Sequence, residues 1–174
     1  NSTNCYFSIY LFGWETLVTN FANVVKIPEP QLQLVSLNDR VAACKMFMET
    51  VCRNRNITLH LTLCDENPHV RMDTSLFEQV LVNIIKNAAE SIGEEGNIFI
   101  RTSVFPTMLE IADTGAGISK EVEAKLFSPF FSTKPNGQGI GLIFIREVLM
   151  KHGCTFSLRT YSDGLTRFRI RFSA

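Results

Sequence analysis

"TSLFEQVLVNIIKNAAESI", residues 74–92, sets Phe77, Val80, Leu81, Ile84, Ile85, Ala88 and Ile92 along one stripe. That recurrence is the spacing of an amphipathic helix with one buried face. Asp73 precedes it and is the expected N-cap. Gln79, Asn83, Asn87 and Glu90 make a second, polar stripe on the same helix, with Lys86 beside it. Asparagine is a poor helix former, so two of them in mid-helix cost stability. Two asparagines one turn apart, with a lysine between them, suit a wall of neutral oxygens and one cation. Such a wall can hold Mg²⁺ and a polyphosphate, because Mg²⁺ prefers oxygen ligands shared with substrate phosphates.

Working outward, Asn38 is the expected cap of a helix over 39–54, followed by a strand at 57–64 and a short one at 69–73. Beyond the long helix lie strands at 98–104 and 108–113, a glycine-rich irregular region at 114–139 with a short helix near 120–126, and a helix at 139–153 ended by Gly153. "CTFSLRTY" (154–161) and "LTRFRIRF" (165–172) flank "SDG", a hairpin signal. In the second of these strands Phe168, Ile170 and Phe172 face one way and Arg167, Arg169 and Arg171 the other, so the arginines read as a solvated sheet face. Upstream, Leu17, Phe21, Val24 and Val25 suggest the end of a helix over 14–27, and the prolines of "PEPQLQLVSLND" (28–39) mark a linker. The order of elements implies an α+β two-layer sandwich, a mixed sheet with helices packed on one face.

The chain has 174 residues, with 17 basic and 17 acidic side chains. A formal net charge of zero gives no general attraction to nucleic acid or to an anionic membrane. Cys5, Cys44, Cys52, Cys64 and Cys154 are scattered, odd in number and form no C-x-x-C pair. They read as reduced thiols of a cytoplasmic protein, without a zinc site. "CYFSIYLFGW" (5–14) is too short to span a bilayer and lacks the basic flank of a signal peptide. The sequon "NST" at the start is discounted on the same cysteine usage.

Three further stretches carry chemistry. In "DTGAGI" (113–118) a strand delivers Asp113, whose carboxylate can accept from an amino group such as that of adenine. Gly115 and Gly117 let a ring approach bare backbone. "LFSPFFSTKPNGQGIGL" (126–142) is unusually aromatic for a loop, although Phe127, Phe130 and Phe131 could simply plug the core. Gly137, Gly139 and Gly141 then lead into a helix, and glycine N–H groups at a helix start make an anion site.

These stretches, in this order, resemble the ATP-binding catalytic domain of sensor histidine kinases, within the gyrase, histidine kinase and MutL ATPase superfamily. "FEQVLVNIIKNAAESI" is similar to its N box, "DTGAGI" to its G1 box, "LFSPFFSTK" (126–134) to its F box and "GQGIGL" (137–142) to its G2 box. "GLTRF" (164–168) resembles its Gly-x-Thr-x-Phe strand. The resemblance implies a Bergerat-type sandwich that binds ATP and Mg²⁺. It implies Asn87 as the Mg²⁺ ligand and Asn83 and Lys86 as phosphate-side, catalytic contacts. Asp113 would read the adenine amino group, with Thr166 nearby through water, and Gly115, Gly117 and Ile118 would shape the base pocket. Phe131, Lys134, Gly137, Gly139, Ile140, Gly141 and Leu142 would close over the nucleotide from a mobile lid.

A histidine kinase also needs an acceptor histidine on a dimerisation helix. His60, His69 and His152 stand in no such context. The chain is therefore expected to be a fragment: residues 1–27 a remnant of the dimerisation hairpin, 28–38 a linker and 39–174 the catalytic domain. The implied partners are the dimerisation domain that carries the histidine and a downstream response regulator. Neither nucleic acid nor a membrane is expected to contact the fragment, which would be cytoplasmic, either free or as the cytoplasmic part of a membrane-bound sensor. In the hydrolysing branch of the superfamily a glutamate stands four residues before the Mg²⁺-binding asparagine; here that position is Asn83. The alternatives are an ATPase of that branch, or a module in which nucleotide only switches a protein contact.

Overall fold

A computed structural model of the chain describes residues 26–128, 131–133 and 139–173. Its elements are β1 (Gln33–Ser36), α1 (Leu37–Ala43), α2 (Lys45–Arg53), β2 (Ile57–Thr62), β3 (His69–Met72) and α3 (Thr74–Ile92). Then follow β4 (Gly96–Val104), β5 (Thr107–Asp113), α4 (Lys120–Glu123), α5 (Gly141–Lys151), β6 (Thr155–Thr160) and β7 (Thr166–Arg171). Five strands form one sheet in the order β2-β4-β5-β7-β6. β2 runs parallel to β4, and the other pairings are antiparallel. The expected mixed sheet with a helical layer is therefore present.

The long helix is the centre of the packing. Phe77, Val80, Leu81, Ile84, Ile85 and Ala88 of α3 are buried with Ile145, Val148 and Leu149 of α5 and Met48 of α2. The inner sheet face answers in rows. Ile100, Ile111, Phe168 and Leu158 lie side by side across β4, β5, β7 and β6. The next row reads Ile98, Asp113, Thr166 and Thr160. The inner face thus turns from apolar to polar at one end, and that end carries the site.

On the outer face Arg167 and Arg169 of the arginine row are held by acids. Arg169 donates to Glu110 at 2.7 Å and to the Tyr161 hydroxyl at 2.8 Å, and Arg167 forms a two-pronged pair with Asp163 at 2.9 and 2.6 Å. The bidentate Arg167 pair holds the Asp163 carboxyl down to about 2.

Several local readings change. Ser36, not Asn38, caps α1, accepting from Asp39 N at 3.0 Å. Asn38 is buried instead. It donates to the Cys64 carbonyl at 2.7 Å and accepts from Thr102 Oγ1 at 2.7 Å, so its amide joins α1 to β4. The helix expected over 39–54 divides at Cys44, where α1 ends and α2 begins. The stretch expected to be a linker contains β1, which pairs antiparallel with β3. β1 is only four residues long and follows Pro30 closely, too short a run to separate from a linker by its own pattern; the pairing comes from β3. The expected helix over 14–27 lies outside the described residues except for Lys26 and Ile27, which are not helical.

Asp73 caps α3 as expected, accepting from Leu76 N at 3.1 Å. Its second oxygen accepts from Gln31 N at 2.9 Å, and these backbone N–H groups, Gln31 first, lower its pKa. The Asp73 N–H donates to His152 Nε2 at 3.0 Å, while His152 Nδ1 lies 2.7 Å from the Val148 carbonyl. A backbone N–H only donates and a carbonyl only accepts, so Nε2 is the acceptor and Nδ1 carries the proton. One buried imidazole thereby ties the end of α5 to the start of α3. His152→Ala is expected to destabilise the domain by about 1–3 kcal/mol, the cost of a buried donor left unpaired. Urea unfolding monitored by circular dichroism measures this; an unchanged midpoint would mean water replaces the ring without loss.

Candidate nucleotide site

The polar end of the inner face opens into a cavity of about 1150 Å³. One wall is the polar stripe of α3. Gln79, Asn83, Asn87 and Glu90 all line it, as their spacing predicts, together with Ser91. Its floor includes Ile111, Asp113, Thr166 and Phe168 from the sheet. Gly117 and Ile118 close one side, and Phe131, Gly139, Ile140, Gly141 and Leu142 the other. Most of the residues singled out from sequence therefore meet in one place.

Asp113 ends β5 and is 6% exposed. Its Oδ1 accepts from Gly115 N at 2.8 Å. Burial nevertheless dominates and raises its pKa to about 6, the Gly115 N–H opposing only in part. A carboxylate in this setting is poorly solvated and gains strongly from a donor that reaches its other oxygen.

The turn after β5 is fastened to the last turn of α3. Ala116 N donates to the Ser91 carbonyl at 3.2 Å. A β-carbon on Gly115 would stand 2.2 Å from Ser91 Oγ and 2.8 Å from the Ser91 carbonyl carbon. Here glycine is required by contact, not by conformation. Gly117 is required by conformation, with φ of +79°. Ile118 N then donates to Thr160 Oγ1 at 2.7 Å, and Thr160 Oγ1 lies 2.9 Å from Thr166 Oγ1. Ser91 and Thr160 were missed from sequence. Thr160 could have been found from the hairpin, because "SDG" sets the register that pairs it with Thr166.

The far end of the cavity has the opposite character. α5 begins at Gly141, and among the described residues no side chain caps it, so its first N–H groups suit an anion. A β-carbon on Gly141 would lie 3.7 Å from Asn83 Oδ1, which places the Asn83 amide beside the helix start. Asn83 Nδ2 donates to the Gln79 carbonyl at 2.8 Å, so its oxygen is the free end. Gly139 has φ of +66°.

Lys86 is the departure. It is exposed and not among the cavity-lining residues, and its ammonium lies 6.0 Å from the centre of the Phe47 ring on α2. Helix geometry explains this, since position 86 is a full residue off the 83–87 stripe and turns toward α2. Of the aromatic loop, Phe127 packs edge-on against Phe156 at 5.2 Å and serves the core, whereas Phe131 lines the cavity. Phe130, Lys134 and Gly137 lie outside the described residues. Among the described residues no helix is long and apolar enough to cross a membrane.

The comparisons with known proteins agree with this geometry. Residues 72–174 match the family described as histidine kinase-, DNA gyrase B-, and HSP90-like ATPase. The chain is similar to the sensor histidine kinase ZraS of Escherichia coli O157:H7, 29% identical over 156 residues that cover 88% of this chain and 34% of the relative. It thus spans about a third of that relative's length. The solved catalytic domain of histidine kinase ThkA superposes with a TM-score of 0.73 at 27% identity, over 82% of this chain and 95% of that one. ThkA in complex with response regulator protein TrrA matches at 26% identity and a TM-score of 0.69, covering 91% of this chain and 47% of that one. The chain belongs to the histidine kinase-, DNA gyrase B-, and HSP90-like ATPase family, as an ATP-binding catalytic domain of the sensor histidine kinase type.

Proposed function

We propose that this domain binds ATP with Mg²⁺ and donates the γ-phosphoryl group to a histidine on a dimerisation domain, for relay to a response regulator. The observation that carries the reading is the single cavity with a dry carboxylate at one end and an uncapped helix start at the other. A purine amino group suits the first and a polyphosphate the second. ThkA, a relative that forms a complex with a response regulator, supports the partner. The expected compartment is the cytoplasm, consistent with free thiols at Cys44, Cys52, Cys64 and Cys154. Residues 1–27 as a dimerisation remnant, 28–38 as its connection and 39–174 as the catalytic unit remain part of this proposal.

When bound, ATP supplies the phosphoryl group and Mg²⁺ screens its charge. The chain's own part is positioning. Asp113 accepts the base's amino group, and Gly117 and Ile118 border the ring. Asn87 offers an amide oxygen to Mg²⁺. Among the described residues no cluster of His, Cys, Asp or Glu could hold a metal by itself, so Asn87 would take Mg²⁺ together with nucleotide phosphates. Asn83, Gly139 and Gly141 face the phosphates. Lys86 would reach them by leaving Phe47, a contact worth about 0.5–1 kcal/mol at an exposed site. Lys134 and Gly137 keep their proposed lid roles.

Calorimetry is expected to show Mg²⁺-dependent binding of ATP in preference to GTP, whose carbonyl would face the Asp113 carboxylate. Asp113→Ala should weaken ATP by about 1.5–3 kcal/mol, the worth of a hydrogen bond to a charged group. Equal affinity for the two nucleotides would remove the role given to Asp113.

The raised pKa of Asp113 sets a pH dependence. Its ordinary value of 3.8 applies to the unfolded chain and about 6 to the folded one. The folded state therefore holds the proton more tightly, and the empty domain gains stability from this group as pH falls from about 6 toward 4. ATP needs the ionised form, so its affinity should fall across the same window. Taking the ratio of wild type to Asp113→Asn cancels the titration of ATP itself. A ratio flat from pH 5 to 8 would contradict the assignment.

Hydrolysis is expected to be very slow. The position of the hydrolysing branch's glutamate holds Asn83, and an amide cannot take a proton from water. Neither Glu78 nor Glu90 replaces it: Glu78 does not line the cavity and its charge acts on Cys44, and Glu90, which does line it, lies three residues beyond Asn87 beside Ser91 at the base end. Phosphate release at saturating Mg·ATP should lie orders of magnitude below about 10 s⁻¹, the median for enzymes. Turnover near that value would favour the ATPase alternative.

A further inference from the structure

The row Asp113, Thr166, Thr160 crosses β5, β7 and β6 at the base end of the cavity. Thr166 is 3% exposed and lines the cavity, and its hydroxyl meets Thr160 Oγ1 at 2.9 Å. Thr160 is not a lining residue. Its hydroxyl also accepts from Ile118 N at 2.7 Å. A hydroxyl has one proton and two lone pairs, so this contact occupies one lone pair of Thr160. Two arrangements remain for the pair. Thr166 donates to Thr160, and then shows the cavity lone pairs alone. Or Thr160 donates to Thr166, and the Thr166 proton is free to point into the cavity. An acceptor in the cavity selects the second arrangement.

The same side chain seats the loop. A β-carbon on Gly117 would stand 3.4 Å from both Thr160 Cγ2 and Thr160 Oγ1. Thr160 therefore stands where a side chain on Gly117 would go, and it is bonded to the backbone of Ile118, one residue before Ser119 caps α4. Arg159, the neighbour of Thr160 on β6, pairs with Glu123 of α4 at 3.1 Å, so this edge of β6 holds the start of the region leading toward Phe131.

We propose that Thr160 is a positioning residue that couples base recognition to the loop at Gly117–Ile118: by donating to Thr166 it aims the Thr166 proton at the base, and by accepting from Ile118 it holds the loop that borders that base. The inference rests on the ATP reading. In that reading Thr166 meets, directly or through one water, the ring nitrogen next to the amino group that Asp113 reads; what is added is the part of Thr160 behind it. Asp113 accepts a hydrogen bond from the base and Thr166 donates one, which together match the adenine edge and oppose the guanine edge.

The test uses the full 174-residue chain. Calorimetry with Mg·ATP and with Mg·1-deaza-ATP, which has carbon in place of that ring nitrogen, is run on wild type, Thr160→Val, Thr160→Ser, Thr166→Val and the double valine variant. Wild type should prefer ATP to the deaza analogue by about tenfold, the worth of one neutral hydrogen bond. Thr160→Val should lose most of that preference although it touches no base, because the Thr166 hydroxyl loses the donor that fixes its orientation and the loop at 117–118 loses its anchor. The double variant should be no weaker than Thr166→Val alone, and Thr160→Ser, which keeps the hydroxyl, should recover the wild-type preference. Amide exchange at 117–119 should quicken in Thr160→Val and not in Thr160→Ser. A preference that survives in Thr160→Val, or valine effects that simply multiply, would overturn the proposal. Should Thr160→Val fail to fold, Thr160→Ser and Thr166→Val still decide it: a deaza preference lost in the first or kept in the second refutes the coupling. Failure of wild type to bind Mg·ATP at all would sink the ATP reading itself, a separable result.

Discussion

Ser91 and Gly115 approach so closely that no β-carbon fits between them. The last turn of α3 is thereby pressed onto the turn that follows β5, and Ala116 N closes the joint on the Ser91 carbonyl. Most of the site follows from this contact. It buries Asp113 and turns Gly115 N toward Oδ1. It also sets the polar stripe of α3 against the open end of the sheet, so that Asn83 and Asn87 share a cavity with Asp113. A larger residue at 115 would push helix and strand apart, and the two ends of the cavity would no longer face each other.

The two ends differ in dielectric character, and the difference suits an amphiphilic ligand. Around Asp113 the lining includes Ile111, Ala88 and Phe168, and the carboxylate keeps its proton to an unusually high pH because little water solvates it. Near Gly141 the partners are backbone N–H groups and amide oxygens, which bind charge without carrying a full charge of their own. Two mid-helix asparagines cost α3 about half a kcal/mol each relative to good helix formers. Packing of the opposite face, from Phe77 to Ala88, offsets that loss many times over.

Legibility followed the range of the physics. Elements held by local periodicity were readable: α3 from its apolar stripe, the β6–β7 hairpin from its turn, and Asp73 as a cap from its position before a helical run. The site residues that stand on those elements came with them, which is why Asn83, Asn87, Asp113 and Thr166 converge as expected. What failed depended on a distant partner. β1 exists because β3 pairs with it, and Asn38 lost the capping role to Ser36 because Cys64 and Thr102 claim its amide. Lys86 reads as standing beside the stripe, and one residue is a rotation of about 100° on a helix, enough to turn it toward Phe47.

The amino-acid sequence alone determined the class of fold, through the order of its elements, and the helix that forms one wall of the cavity, through spacing along that helix. Tertiary structure alone decided that Gly115 is needed for contact and Gly117 for conformation, that Asp113 is dry enough to hold its proton to about pH 6, and that Thr160 stands behind Thr166. Burial, and the row of side chains across β5, β7 and β6, arise only when strands far apart in the chain lie side by side, and no pattern within one strand contains its neighbour.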